Sequence, residues 1–330
     1  MLLNEDYHHV IPARAWLKWR ENWIYFLCDP EEGIFVTVHM SLLPTDNTMR
    51  WSCNLVIDGE RTSYADYVDY DPANFNNPKL KVGAVVVEFI KPQQEIKISV
   101  DAPEHKLELH MEATMPLFDY QASHDANPEH VSLSENTGMG FGEFRHQNQT
   151  MKGRGKVTFK NGPAAGTSRE FGRYGYRDHS WGMRDDNMTL THVWAWLSFP
   201  GWTAHVTRVR NLYRPDVWSL GGYLGRPEGN LALVKMDAEL VGESADEMPA
   251  YVLFDIEATD GQAFTVKADL TNAYARNRFL ATRPGKQGYV MRHNFVRCVR
   301  EDTGEEGFSM VEIGVSQEPE TSTLSSGKSV

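Results

Sequence analysis

The sequence has little cysteine: Cys28, Cys53 and Cys298 are the only three among 330 residues, odd in number and far apart. That spacing excludes a disulfide framework, and the lack of any CxxC pair argues against a thiolate zinc site. Basic charge is also short. Lys and Arg total 33 against 45 Asp and Glu, a net charge of -12. Such a chain has no bulk attraction to phosphate backbones or anionic lipid, so no nucleic-acid partner is expected. A small, neutral or weakly charged molecule is the natural partner. No apolar run approaches the roughly 20 residues of a membrane helix, so no membrane insertion is expected. The opening residues, MLLNEDYHHVIPARAW, lack the charged-then-apolar pattern of a signal peptide. A reducing cytoplasm is the expected location.

Chemical signatures are missing too. Twelve histidines occur, yet none is spaced as HxH or HExxH, so no metal is expected. A GxSxG elbow is absent, which removes the main hydrolase signature. The glycines of GMGFGEF at 138–144 match no P-loop or dinucleotide fingerprint, so no cofactor is expected.

Helical periodicity is scarce; only Ala13 to Asn22 and 60–70 could hold a turn or two of helix. Parallel α/β folds need longer crossover helices and are disfavoured. Strand signals dominate instead. Asn22 to Cys28 (NWIYFLC) and Ile34 to Met40 (IFVTVHM) read as a hairpin around a five-residue turn, Asp29 to Gly33. Further strands are expected at 50–57, 83–90, 94–100, 105–113, 141–148, 153–159, 192–199, 203–210, 219–225, 231–237, 250–258, 263–270, 288–299 and 308–315. About sixteen short strands at such spacing point to sandwiches or barrels. Ala122 to Asn136 reads as a long polar loop. Lys160 to Thr167 (KNGPAAGT) is the best interior boundary, dividing the chain into 1–165 and 166–315, about eight strands each, as one small barrel uses. The polar tail 316–330 reads as disordered.

One run stands out: Tyr174 to Asp186, YGYRDHSWGMRDD. It sets Arg177-Asp178 and Arg184-Asp185 around His179, Trp181 and Gly182. On a strand, Arg177, His179 and Trp181 share one face and Tyr176, Asp178 and Ser180 the other. Asp178 and His179 therefore line one cavity only if a bulge re-aims one of them, and Gly182 is a place for a bend. Read functionally, His179 moves a proton, Asp178 tunes or accepts it, and Arg177 orients a carboxylate or an oxyanion. Read structurally, the same residues form a buried ion-pair network at a seam.

Three other groups accompany it. Trp16, Trp19, Glu21, Asn22, Trp23 and Tyr25 place a carboxylate and an amide among aromatics. Glu21 is either a proton donor with a raised pKa or a solvated residue before a strand. In Phe144 to Gln149, Arg145, Gln147 and Gln149 share a face; Arg145 is expected in water, and Gln149 either lines a site or faces water. In His192 to Phe199, His192, Trp194 and Trp196 share a face that is either a ligand wall or packed core.

The run 174–186 carries a family likeness. Asp178-His179-Ser180-Trp181-Gly182 resembles the Asp-His-x-Trp-Gly core of the AttH-like and carotenoid 1,2-hydratase (hydroxyneurosporene synthase) superfamily. Glu21 to Tyr25, Asp29 to Gly33, and Gln149 with Gly153 match more loosely. The resemblance implies an all-β chain of two consecutive lipocalin-like (calycin) antiparallel β-barrels with a ligand space in or between them. It also implies an activity class: cofactor-independent hydration, isomerisation or cyclisation of an isoprenoid, steroid-like or aromatic molecule. Asp178, His179 and Arg177 are then the expected catalytic groups, and Trp181, Trp194, Trp196, Glu21, Tyr25 and Gln149 the expected ligand contacts. The rival expectation is a non-catalytic carrier or sensor of an apolar ligand, because fold alone does not fix chemistry.

Overall fold

The computed structural model describes residues 7–9, 11, 19–43, 47–76, 78–128, 144–183, 189–211, 214–242, 248–281 and 289–316. Two antiparallel sheets hold nearly all of them. The first contains β1 (Trp19–Asp29), β2 (Ile34–Leu43), β3 (Thr48–Ile57), β4 (Glu60–Asp69), β5 (Phe75–Asn76), β6 (Lys79–Val82) and β7 (Val85–Lys91). It continues with β8 (Glu95–Asp101), β9 (His105–Ala113), β10 (Phe118–Asp119), β11 (Phe144–Phe159), β12 (Ser168–Gly172) and β13 (Tyr174–Met183). The second contains β14 (Thr189–Phe199), β15 (Trp202–Asn211), β16 (Arg214–Arg226), β17 (Gly229–Val241) and β18 (Tyr251–Ala258). It ends with β19 (Ala263–Asp269), β20 (Ala275–Ala281), β21 (Tyr289–Arg300) and β22 (Glu306–Ser316). One α-helix is described, α1 (Gln121–Ala126), between β10 and β11.

Both sheets curl into barrels. In the second, β19 pairs β21 as well as β18, which closes a ring of β14 to β19 with β21 and β22. That is the eight-strand ring in which side chains fill the interior. The first sheet runs in the order β4-β3-β2-β1-β13-β11-β9-β8-β7-β6-β5 and is nearly closed. Alternation sets the core. On β8 and β9 the pattern is strict: Ile96, Ile98, Val100, Leu107, Leu109 and Met111 point inward, and Lys97, Lys106, Glu108 and Glu112 face water. Val193, Ala195, Leu197, Phe254, Val266 and Val311 fill the second barrel.

β1 and β2 are buried along both faces. Trp23, Tyr25 and Leu27 enter the first barrel, while Phe26 and Cys28 point out of it. The outward residues meet Trp194, Trp196, Phe295, Phe308 and Met310 of the second barrel in a shared apolar cluster. The barrels therefore join through a packed seam, and α1 reinforces it: Asn127 donates to the Leu233 carbonyl at 2.8 Å.

Five expectations change. Segment 60–70 is strand β4, not helix; it is an edge strand with mostly exposed side chains, so backbone pairing to β3 holds it without an apolar alternation. From Trp19 onward the segment 13–22 is strand, and 13–18 lie outside the described residues. The stretch 160–167 is the turn between β11 and β12, so the boundary drawn at 165/166 falls inside the first sheet. Gly and Pro mark hairpins as readily as domain junctions, and among the described strands the change of sheet falls between Met183 and Thr189. The strands expected at 141–148 and 153–159 form one strand, β11, from Phe144. The loop expected at 122–136 begins as α1, and its residues from 129 onward, Arg184-Asp185 and the tail 317–330 lie outside the described residues.

Candidate functional site

β13 carries the Asp178-His179-Ser180-Trp181-Gly182 run through the middle of the first sheet, between β1 and β11. Its register with β1 is one-to-one from Trp19 opposite Met183 to Cys28 opposite Tyr174. No bulge interrupts it. Asp178 and His179 consequently face opposite sides: His179 enters the first barrel and Asp178 faces the seam. They do not form a single acid/base pair. Each is instead the centre of its own polar cluster.

Inside the first barrel, Glu21 is the hub. It is fully buried and accepts hydrogen bonds from His8 Nδ1 at 2.8 Å, His9 Nδ1 at 2.7 Å and His179 Nε2 at 3.1 Å. The His9 backbone N–H adds contacts of 3.2 Å to both carboxylate oxygens. Burial alone would raise the Glu21 pKa; the hydrogen bonds from His179, His8 and His9 outweigh it and hold the carboxyl well below its ordinary range. Glu21 is thus a buried anion, neither the solvated residue nor the raised-pKa proton donor of the two sequence readings. Burial lowers His179, against the opposing pull of Glu21. Aromatic rings fix the imidazoles: Trp181 stacks on His9 at 4.1 Å, and Trp23 on His179 at 5.1 Å. Phe75 lies 4.2 Å from His8.

At the seam, β11 and β13 supply a second cluster. His146 Nε2 donates a short hydrogen bond to Asp178 Oδ2, and Asn148 Nδ2 donates to the same oxygen at 2.7 Å. Tyr120 stacks on His146 with ring centroids 4.6 Å apart. Its hydroxyl makes a short hydrogen bond to His205 Nδ1 and reaches Thr207 Oγ1 at 3.2 Å, both on β15 of the second barrel. Burial, together with nearby His146, pushes the His205 pKa well down, and burial pushes the Tyr120 and Tyr176 hydroxyls up. His205 is therefore a neutral imidazole in contact with a neutral phenol. The His146 side chain keeps 13% exposure, so this cluster opens toward solvent.

The second barrel presents a matching group to the same seam. Glu312 accepts from His192 Nε2 and His293 Nε2, each at 2.5 Å, and His192 Nδ1 meets the Tyr289 hydroxyl. Burial raises Glu312, but His293 and His192 outweigh it and hold the carboxyl well below its ordinary range. Trp194 is the cross-strand neighbour of both Thr207 and Glu312. Two strand spacings of about 4.8 Å put Glu312 about 10 Å from Thr207 along the sheet, with the indole between them. Trp194 also lies 4.4 Å from the His205 ring and 5.4 Å from Tyr176.

The remaining expected residues divide between the two places. Trp181, Arg177, Glu21 and Tyr25 lie on the interior side of the first sheet, and Trp194 and Trp196 at the seam. Trp196 is fully buried against Tyr176 and Phe308. Gln149 does not face water; it is buried and donates to the Met115 carbonyl at 2.9 Å and the Gln93 carbonyl at 3.1 Å. Arg145 is exposed, as expected. Sequence reasoning passed over His146, Asn148, Tyr120, His205, His293 and Glu312. A signal existed for some of them. His205 and Thr207 alternate with Ala204 and Val206, so they form the polar face of a strand; that face meets the other barrel and not water.

A family of unknown function, DUF7064, matches residues 3–317. The chain belongs to the DUF7064 family. No curated protein matches it by sequence. Its fold resembles that of a protein assigned as an AttH from Nitrosomonas europaea, with a TM-score of 0.63 and 12% identity over 96% of this chain and 97% of the other. Kievitone hydratase from Nectria haematococca aligns with a TM-score of 0.58 and 13% identity over 90% and 89%. CghA with Sch210972 gives 0.59 and 12% over 95% of each chain. At that identity the likenesses establish the fold of this DUF7064 chain: the two-barrel, lipocalin-like architecture of AttH-like proteins. They leave the chemistry to the residues of the site.

Proposed function

We propose that this protein is an enzyme that binds a small, largely apolar molecule at the seam between its barrels. There it carries out acid/base chemistry of the hydration, isomerisation or cyclisation type. The observation that supports this most is the chain of contacts from Asp178 through His146 and Tyr120 to His205, four titratable groups crossing from one barrel to the other. Ion pairs that only lock an interface do not need a phenol and a neutral imidazole next to a carboxylate–histidine pair whose imidazole is partly exposed. In this reading His146, oriented by Asp178 and Asn148, delivers the proton to an alkene or enone. The faces of Trp194 and Tyr176 and the negative charge of Glu312 stabilise the cation that forms. For hydration, water adds its oxygen to the cationic carbon and its proton passes to His205 or back to solvent. The separation of about 10 Å between Glu312 and Thr207, the contact of Tyr120 on the second barrel, suits a molecule of two or three fused rings, or a short isoprenoid. The names of two structural neighbours, a hydratase and a protein bound to Sch210972, agree with this class of ligand space.

The test uses the full chain in D2O buffer with a panel of prenylated phenols, linear terpenols and cyclic enones. Mass spectrometry follows deuterium uptake and the mass gain of water. At least one class is expected to turn over, with Asp178→Asn about 100-fold slower or worse, the usual effect of an acid/base group, and with unchanged folding by circular dichroism. Quenching of tryptophan fluorescence by panel members with no turnover of any of them would establish a carrier. No quenching and no turnover would remove the reading altogether.

A further inference from the structure

The cluster inside the first barrel has a use that the seam does not need. We infer that His9, Glu21 and His179 form a binding site for a divalent transition-metal ion of the zinc class. His9 Nδ1, Glu21 Oε1 and His179 Nε2 lie within 4.8 Å of one another. Metal bonds of about 2.0–2.1 Å in a tetrahedron place ligand atoms about 3.3 Å apart. Glu21 Oε1 stands 2.7 Å from His9 Nδ1 and 3.1 Å from His179 Nε2. Those two contacts reach the tetrahedral spacing by opening about 0.6 Å and about 0.2 Å. Two imidazoles and one carboxylate are a nitrogen-rich set that selects zinc-class ions over magnesium or calcium, which take oxygen ligands. Three protein ligands leave a fourth position free.

The surroundings hold this set in place. Glu21 is fully buried and His179 nearly so, and both are carried by adjacent strands in fixed register. Trp181 and Trp23 stack on the two imidazoles, fixing their ring planes. His179 Nδ1 is buried and has no partner among the described residues, so it is free to take the ring proton when Nε2 turns its lone pair to the metal. His9 comes from the segment over the barrel interior, where Tyr7 packs on Phe89 and His8 on Phe75. An ion here would pin that segment to β1 and β13. Sequence spacing hides such a site because His9 and Glu21 are 12 residues apart, and Glu21 and His179 are 158 apart.

The site is independent of the seam chemistry, and its test does not use activity. The full chain is stripped with EDTA, then titrated with Co2+, read by its visible absorption, and with Zn2+, read by calorimetry. One ion per chain is expected, with the intense visible bands of tetrahedral Co2+. His9→Gln, Glu21→Gln and His179→Gln should each weaken binding at least about 10-fold, the least that even an outer-shell partner costs. His110→Gln, on the outer face with Glu95, should leave it unchanged. Should a buried variant misfold, His9→Gln decides: its side chain is 24% exposed and lies outside every strand. Zn2+ should raise the melting temperature of the wild type and not of His9→Gln. Absence of stoichiometric binding to the folded wild type, or wild-type affinity in His9→Gln, overturns the assignment.

Discussion

Replacing Glu312 by Gln probes the seam most directly, and its effect can be worked out from the structure. Glu312 accepts two hydrogen bonds at 2.5 Å, from His192 and His293, and its side chain is 18% exposed. Glutamine keeps the shape and one acceptor but loses the charge. Hydrogen bonds to a charged group contribute about 1.5–3 kcal/mol each, against about 0.5–1.5 for neutral ones, so two of them lose roughly 2–3 kcal/mol. Screening by the partial exposure brings this to about 2 kcal/mol. The melting temperature should then fall by about 4–8 °C at pH 7. The sign with pH follows from the lowered carboxyl of Glu312. Its stabilisation is fully present above the unfolded value of about 4.3 and is lost as pH falls through the lower folded value. The gap between wild type and variant should therefore narrow below about pH 4. The groups facing Glu312 are His192 and His293, with His205 close enough to sense its charge. Thermal unfolding by circular dichroism between pH 3 and 8 reads both effects. Equal melting temperatures at pH 7, or a gap that persists unchanged at pH 3, would refute the argument.

Further outcomes follow from single residues. Tyr120→Phe keeps the stack on His146 but leaves the buried His205 Nδ1 without its hydroxyl partner; a loss of about 1–3 kcal/mol in urea unfolding is expected, and a change under 0.5 would show that water replaces the hydroxyl. Gly182→Ala puts a side chain at φ +128°, in a region costly for L residues. It should cost about 1–3 kcal/mol, whereas an unchanged melting temperature would mean that the backbone relaxes. Cys28, Cys53 and Cys298 are fully buried, and burial pushes the Cys53 thiol up to about 12. None should react with a thiol reagent until the chain unfolds, and any fast native-state reaction would contradict that burial.

Much of the architecture was legible because it rests on local alternation. The hairpin of β1 and β2, the strands β7 to β9 and the run from β14 to β19 all lie where branched and aromatic residues alternate between turns. β4, β12 and β20 were not legible. β4 and β12 carry many exposed side chains, so only pairing partners distant in sequence make them strands. The site was half legible. Alternation on β13 already placed Asp178 and His179 on opposite faces, and the structure keeps them there. The partner of each was hidden: His146 and Tyr120 for Asp178, Glu21 with His8 and His9 for His179.

What the sequence determined by itself is the all-β class and the parity of each strand, because side chains on a strand alternate whatever it pairs with. The tertiary structure alone decided which polar face is seam and which is solvent. It also decided that Glu21 gathers three histidines and that Glu312 gathers two. Those contacts join residues 12 to 158 positions apart, and only closure of both barrels brings them within hydrogen-bond reach.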